Sequence, residues 1–251
     1  MKWFSFLVFF TLVLSLGCSQ SSEDTTLPDP ETEIEFQAKN VLFIGNSHTN
    51  YNLGIDHYLK GFTSQADLDF IPTIEKITMD GASMQDHLEN ANTLAKLNER
   101  DWDVVILQEN STVASEQTTE AITSLQEMKF ALPNNKTKIY LFMTWTYENE
   151  PAMLTNIRAT YEQAAPLVSG TVVPIGLAFK EIADDPTSEV TLYNTDGIHP
   201  SIEGSYLSAA MFYAAIYDKD PVLNSYSAGL ETAMAGYLRR KANEVWMAYQ
   251  N

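Results

Sequence analysis

Cysteine and basic side chains are scarce in this sequence. The chain of 251 residues contains one cysteine, Cys18, so it cannot form an intrachain disulfide. It carries 15 lysines and arginines against 33 aspartates and glutamates, a formal net charge of −18 at pH 7. Nucleic-acid phosphates and anionic membrane surfaces would repel such a chain, so we expect neither as a partner. The hydrophobic fraction of 45% is still high enough for a well-buried core.

Two common hydrolase motifs are also missing. The sequence has no His-Glu-x-x-His, and its four histidines lack the spacing of metal ligands, so we predict neither a metal site nor another cofactor. The Gly-x-Ser-x-Gly turn of α/β-hydrolases is absent as well, because Gly81-Ala82-Ser83 continues as Met-Gln.

The N-terminal segment has the pattern of an export signal. Lys2 precedes an apolar stretch over residues 3–16, which is too short for a stable membrane span, so we predict a signal peptide over residues 1–17. Cys18 follows Leu-Gly and resembles the lipidated cysteine of bacterial lipoproteins; the alternative is a plain signal peptide with a stray cysteine. Residues 18–39 are polar and acidic and predict a flexible tether. We therefore expect an exported protein, either an outer-membrane or cell-surface lipoprotein or a periplasmic protein.

Residues 40–251 alternate between short apolar runs and amphipathic stretches, and we predict that they form one domain. Strands are predicted over residues 41–44, 70–77, 103–107, 138–142 and 171–174. Helices are predicted over residues 55–64, 84–97, 118–130, 152–165, 177–182, 201–217 and 229–249. This alternation indicates parallel βαβ units and a doubly wound sheet.

A serine follows the first predicted strand, in the stretch VLFIGNSHTNYN. Ligands of open α/β sheets bind at the carboxyl ends of the strands, and Gly45 permits a tight turn just before Ser47. This position suits a nucleophile, but it also suits an ordinary turn or helix cap.

A histidine that could activate the serine lies near the end of the chain. A serine hydroxyl needs a base, and the base needs a group that orients it. Asp196 lies three residues before His199, in a polar loop with Gly197, and its carboxylate can reach Nδ1 of the imidazole. Taken alone, this pair is more simply explained as a turn that caps the next helix. The two histidines at positions 57 and 87 lie in helical patterns, where packing is the simpler explanation.

Two further polar positions follow predicted strands. Gly81 comes just after the second strand, where a backbone N–H can be exposed, and Asn110 follows the third strand with an amide that can donate to an oxyanion. Each is individually consistent with a simple turn residue.

Taken together, these residues resemble the signature blocks of the SGNH hydrolase superfamily, also called the GDSL esterase/lipase family. The blocks occur in the family's order and cover residues 40–217: Ser47, Gly81, Asn110, and Asp196 with His199. The resemblance implies a three-layer α/β/α, flavodoxin-like fold and a serine esterase that uses no metal or other cofactor. It implies Ser47 as nucleophile, His199 as general base and Asp196 as its orienting acid. It also implies an oxyanion hole formed by the Ser47 N–H, the Gly81 N–H and the Asn110 amide.

The chain departs from the family around the serine. Gly-Asn-Ser-His at positions 45–48 replaces the usual Gly-Asp-Ser-Leu, a variant similar to one common among secreted Bacteroidetes-type lipoproteins. We expect Asn46 to alter the support of the loop without abolishing activity. Asn46 and His48 are candidate substrate contacts, and Trp145 is either an aromatic wall for a sugar ring or a packed loop residue.

The predicted activity is hydrolysis of carboxylic esters through an acyl-enzyme, with O-acetyl groups on carbohydrate as the favoured substrate. A lipase, lysophospholipase or thioesterase on the same fold is the enzymatic alternative. A surface glycan-binding lipoprotein that has lost catalysis is the non-enzymatic alternative.

Overall fold

The computed structural model describes residues 36–250, together with Met1. The predicted signal peptide, Cys18 and most of the predicted tether lie outside these residues and stay predictions. Within residues 36–250, no helix combines the length and the apolar character that a membrane span requires.

A parallel sheet of five strands organises the described residues. The strands are β1 (Asn40–Gly45), β2 (Thr73–Thr78), β3 (Val104–Leu107), β4 (Lys138–Phe142) and β5 (Thr171–Val173). Their order is β2-β1-β3-β4-β5, and every neighbouring pair is parallel. This is the flavodoxin-like order, so the predicted α/β class and doubly wound sheet are confirmed.

Helices connect and cover the strands. They are α1 (Ser47–Asn50), α2 (Ile55–Ser64), α3 (Met84–Glu89), α4 (Ala91–Leu97), α5 (Ser111–Glu116), α6 (Thr118–Ala131), α7 (Met153–Val168), α8 (Ile175–Asp184), α9 (Ile202–Tyr217) and α10 (Thr232–Gln250). A short 3₁₀ helix, Pro221–Leu223, precedes the last of them.

The sheet is buried on both faces, which gives three layers. Val41 and Phe43 of β1 belong to the core beneath α2, α8, α9 and α10. Leu42 and Ile44 face the opposite core beneath α6 and α7. All four side chains are fully buried, and this explains why β1 reads as a continuous apolar run rather than an alternating one.

Two predicted elements differ in their bounds for local reasons. The helix predicted over residues 84–97 is two helices, because Asn90 leaves helical geometry and its Oδ1 accepts the N–H groups of Asn92 and Thr93 to begin α4. The second strand begins at Thr73 rather than at residue 70, and Pro72, just before it, has no N–H for a ladder.

The helices α1 and α5 were not predicted. They have 4 and 6 residues, too few to show a hydrophobic period. Each begins at an asparagine cap within three residues of the end of a strand, Asn46 for α1 and Asn110 for α5. Strand β1 and strand β3 are neighbours, so both caps lie at the same edge of the sheet, where the candidate residues gather.

Candidate active site

Three side chains from two distant parts of the chain form a line of hydrogen bonds. Nε2 of His199 lies 2.8 Å from Oγ of Ser47, and Nδ1 of His199 lies 2.7 Å from Oδ2 of Asp196. Asp196 orients the imidazole so that its Nδ1–H donates to the carboxylate and its Nε2 faces the serine hydroxyl. The structure thus joins the serine and the histidine across 152 positions of sequence.

The end of β1 fixes the position of Ser47. A side chain at Gly45 would collide with Gln108 and Thr49, so this turn needs glycine. Oε1 of Gln108 accepts the Asn46 N–H at 2.8 Å and the Thr49 hydroxyl at 2.9 Å. Ser47 is then the first residue of α1, held at the carboxyl end of the strand.

A buried histidine holds the same turn from the other side. Nε2 of His87 lies 2.9 Å from the carbonyl oxygen of Gly45, and Nδ1 lies 2.9 Å from Oγ1 of Thr93. Burial lowers the pKa of His87, which favours the neutral ring with Nε2–H donating to the carbonyl and Nδ1 accepting the hydroxyl. His87 is therefore a packed histidine that supports the turn before Ser47.

The loop before α9 holds the histidine in place. Oδ1 of Asp196 accepts the N–H groups of Ile198 and His199, each at 2.9 Å. Burial alone would raise the pKa of Asp196, but hydrogen bonds from the His199 ring and from these backbone groups lower it to about 2. The carboxylate is therefore ionised at neutral pH. The ring of Tyr51 stacks on the His199 ring with centroids 4.5 Å apart.

Asn110 and Gly81 lie next to each other beside the serine. Oδ1 of Asn110 accepts the Thr112 N–H at 2.9 Å, and Nδ2 donates to the Gly81 carbonyl at 2.9 Å. Because the oxygen caps α5, the amide nitrogen is the end that faces the β2–α3 loop. Gly81 has φ +72°, a left-handed conformation that favours glycine. Ser47, Gly81 and Asn110 all line one cleft.

A buried carboxyl group that was not predicted links this pair of loops. Oε1 of Glu109 accepts the N–H groups of Met84 at 3.0 Å and Asn110 at 2.6 Å, and Oε2 accepts the Ser124 hydroxyl at 3.0 Å. Burial raises the pKa of Glu109, partly offset by these hydrogen bonds. The polar run of residues 108–110 after an apolar strand was the sequence signal for this network.

The cleft around the triad has a volume of about 570 Å³. It is lined by Asn46, Ser47, His48, Asn50, Tyr51, Asn52, Asp80, Gly81, Asn110, Tyr147, Ile198 and His199. The half-buried rings of Tyr51 and Tyr147 lie on its surface, and neither was predicted. Within residues 36–250, no group of three or more His, Cys, Asp or Glu side chains is placed to hold a metal ion.

Asn46 and His48 line the cleft, but both are largely buried. The Asn46 side chain has 1% of its surface exposed and donates from Nδ2 to the Ala82 carbonyl at 2.9 Å. Burial, and then the charge of His199, lower the pKa of His48 to about 3. Neither ring nitrogen of His48 has a hydrogen-bond partner among the described residues, so the ring stays neutral beside His199.

Of the two alternatives for Trp145, the structure shows the packed loop residue and not an exposed aromatic wall. Its ring is 0% exposed and stacks on Phe179 with centroids 4.3 Å apart and planes 7° apart. Its Nε1–H donates to the Ile198 carbonyl at 2.9 Å, next to His199. Trp145 is therefore the packed alternative, and it supports the loop that carries the histidine.

Comparisons of structure place the fold among SGNH hydrolases. No protein-family model and no curated protein sequence matches the chain. A protein of the DUF4886 family from Bacteroides uniformis superimposes with a TM-score of 0.69 at 17% identity, covering 84% of this chain and 96% of that chain.

Two other solved structures share the fold. A provisionally assigned SGNH hydrolase from Slackia heliotrinireducens has a TM-score of 0.58 at 24% identity, covering 69% of this chain and 96% of that chain. The acetylxylan esterase Axe2 from Geobacillus stearothermophilus has a TM-score of 0.57 at 17% identity, covering 71% of this chain and 94% of that chain. The expected SGNH hydrolase fold is confirmed.

Proposed function

We propose that this chain is a serine esterase of the SGNH superfamily that hydrolyses carboxylic esters through an acyl-enzyme. The observation that carries the proposal is the line of hydrogen bonds from Asp196 through His199 to Oγ of Ser47. A serine beside an imidazole that is itself oriented by a carboxylate is the arrangement that activates a hydroxyl as nucleophile.

Acylation begins when Oγ of Ser47 attacks the ester carbonyl carbon and its proton moves to Nε2 of His199. The carbonyl oxygen becomes an oxyanion, stabilised by the Ser47 N–H, the Gly81 N–H and the second hydrogen of Asn110 Nδ2. The tetrahedral intermediate then collapses. The C–O bond to the alcohol breaks, and the alcohol leaves with the proton held by His199.

Deacylation reverses these roles with water. His199 takes a proton from water, the resulting hydroxide attacks the acyl carbon, and the bond to Ser47 Oγ breaks as the serine regains its proton. The products are a carboxylic acid and the free enzyme. The ionised Asp196 stabilises the imidazolium in both steps, and the neutral ring of His48 places no second positive charge beside it.

O-acetyl groups on carbohydrate are the proposed substrate. Axe2, which shares the fold, is named as an acetylxylan esterase. The cleft also presents the half-buried rings of Tyr51 and Tyr147 beside hydrogen-bonding groups, a combination that suits a sugar ring. Export and anchoring through Cys18 belong to the same proposal and rest on the sequence alone. They would place the enzyme where extracellular glycans are found.

A series of aryl esters tests the proposal. Wild type should hydrolyse acetyl esters with higher kcat/KM than octanoyl esters and should release acetate from acetylated polysaccharides. Ser47→Ala should abolish both activities, whereas Ser64→Ala, at an exposed serine on α2, should change neither. A preference for octanoyl esters supports the lipase alternative. No Ser47-dependent hydrolysis of any ester supports a binding protein without catalysis.

A further inference from the structure

A second pocket lies beside the catalytic cleft. It has a volume of about 590 Å³ and is lined by Leu53, His57, Tyr58, Gln65, Ile202, Ser225, Tyr226, Ser227, Ala228 and Gly229. The volume is in the range of small-molecule sites. The mechanism proposed above uses none of these residues.

One short segment separates the pocket from the cleft. Asn52 lines the cleft, and the next residue, Leu53, lines the pocket. Nδ2 of Asn52 donates to the Pro200 carbonyl at 2.8 Å and to Oγ of Ser205 at 3.1 Å. These hydrogen bonds join the loop after α1 to the start of α9, next to His199. Because Asn52 and Leu53 are adjacent in this loop, the pocket lies next to the cleft.

Unusual backbone conformations occur at this pocket. Of the non-glycine residues between 36 and 250, five have positive φ: Asn52, Leu53, Ser169, Asp218 and Ala228. Two of them, Ser169 and Asp218, end helices, where the left-handed conformation is common, and asparagine adopts it readily. The remaining two, Leu53 with φ 76° and Ala228 with φ 54°, both line the pocket. Residues held in sparsely populated backbone conformations cluster at active sites and ligand sites.

The strained segment holds an apolar side chain in an exposed position. Leu53 is 71% exposed, and its carbonyl accepts a hydrogen bond from Nζ of Lys76 at 2.6 Å. Tyr226, on another side of the pocket, is also held in place by its neighbours. The ring of Tyr226 packs so closely on Gly61 that a side chain there would collide with it, and its carbonyl accepts a hydrogen bond from Arg239 at 2.8 Å.

The chemistry of the lining indicates a neutral, hydroxyl-rich ligand. None of the lining residues is Asp, Glu, Lys or Arg, although the chain carries a net charge of −18. The half-buried ring of Tyr226 offers an apolar face, and the Ser225, Ser227 and Gln65 side chains offer neutral hydrogen-bonding groups. A sugar ring has the matching character, with C–H faces that pack on aromatic rings and hydroxyls that exchange hydrogen bonds.

We propose that this pocket is a subsite for a neutral sugar residue of the carbohydrate whose acyl group lies in the cleft. The inference rests on the proposed esterase function. It adds that the preferred substrate is an oligosaccharide, since a substrate of one sugar unit that occupies the cleft leaves the second pocket unused.

The test compares mono-O-acetylated methyl xyloside with mono-O-acetylated xylotetraose. Wild type should favour the tetrasaccharide in kcat/KM by about tenfold, the factor that 1.4 kcal/mol of binding energy gives, mainly through a lower KM. Ser227→Trp places an indole in the pocket and should remove this preference. Its rate on aryl acetate should equal that of wild type, which shows that the variant is folded. Thr123→Trp, at an exposed position on α6, is the matched control and should retain the preference.

Three kinetic results overturn the subsite. The first is that wild type shows no preference for the tetrasaccharide, and the second is that Ser227→Trp retains the preference. The third is that Ser227→Trp loses activity only on octanoyl esters, which would assign the pocket to an acyl chain. Calorimetry separates the subsite from catalysis. Unacetylated xylotetraose should bind the Ser47→Ala protein, and binding should be lost when Ser227→Trp is added. If this binding is found without any esterase activity, the proposed function fails and the sugar pocket stands; if binding is absent, the pocket inference fails.

Discussion

Asn46 and Ala82 connect the two loops on which the proposed chemistry depends. Nδ2 of Asn46 donates to the carbonyl oxygen of Ala82 at 2.9 Å, and Oδ1 of the same side chain accepts the His48 N–H at 3.0 Å. The first bond reaches the loop of Gly81, and the second begins the helix of Ser47. A carboxylate at position 46 could accept the second bond but could not donate the first. The amide is therefore the group that this pair of loops requires.

Aspartate at position 46, the usual residue of the SGNH superfamily, should therefore lower both the stability and the activity of this protein. Asn46→Asp turns a carboxylate oxygen toward the Ala82 carbonyl in a buried site, so we expect the free energy of unfolding at pH 7 to fall by about 1–3 kcal/mol. A lower kcat should accompany the loss, because the Gly81 loop is released. Urea denaturation and ester kinetics measure both effects. Asn134→Asp is the matched control, since Oδ1 of Asn134 accepts the Lys136 N–H in an exposed turn. Equal behaviour of the two variants would contradict this role of Asn46.

Asp196→Asn should retain the loop conformation but change the tautomer of the His199 imidazole. Asparagine can still accept the backbone N–H groups of Ile198 and His199, but its amide would donate to Nδ1 of His199. The ring proton then moves to Nε2, which can no longer accept the Ser47 proton. We expect kcat to fall on the order of 10⁴-fold. Asp185→Asn, at a similar exposed turn where Oδ1 accepts the Thr187 N–H, should leave kcat unchanged. A loss of less than about tenfold in Asp196→Asn would exclude the orienting role.

Substitutions at Asn110 separate its cap from its proposed role at the oxyanion. Asn110→Ala removes both, so kcat should fall by roughly 10²–10³-fold. The free energy of unfolding should also fall by about 1 kcal/mol, because α5 loses its cap. Asn110→Ser keeps a capping oxygen but loses the amide donor. It should share the loss of kcat and retain most of the stability, and a serine variant with wild-type kcat would remove Asn110 from the oxyanion hole.

Glu109 should give the stability a distinctive pH dependence. Burial raises its pKa in the folded protein above the usual 4.5, so the folded state holds this proton more tightly than the unfolded state. Its contribution to stability is therefore present at low pH and is lost as pH rises from about 4.5 through the folded pKa. Glu109→Gln can keep the accepting oxygen and donate to Ser124, and it cannot titrate. Its unfolding free energy relative to wild type should increase over this pH window. A difference that stays constant with pH would show that the Glu109 pKa is not raised.

The sheet was predictable from the sequence because burial on both faces imposes continuous apolar runs. The run at residues 41–44 and the run at residues 103–107 each correspond to a central strand. Helical periods likewise located α2, α6 and α9 closely. The two short helices that begin at Asn46 and Asn110 were missed because a helix of one or two turns leaves no period in the sequence.

Only those residues of the candidate site that lie in sequence motifs could be predicted. Ser47, Asp196 and His199 were placed together from their blocks, and the structure brings them within hydrogen-bonding distance. The burial of Trp145 could not be inferred, since an aromatic residue in a polar loop has the same pattern whether it packs or faces solvent. The polar run of residues 108–110 signals a polar position at Glu109, but its partners Met84 and Ser124 lie far from it in the sequence and could not be inferred.

Labelling with a fluorophosphonate tests the central claim most directly, because the reagent reacts with a serine only when that serine is activated. Peptide mapping by mass spectrometry should find one adduct, on Ser47. His199→Ala should slow its formation severely, and Ser47→Ala should abolish it. A wild-type protein that remains unlabelled, or that carries the adduct on another residue while Ser47 stays unmodified, would contradict the account.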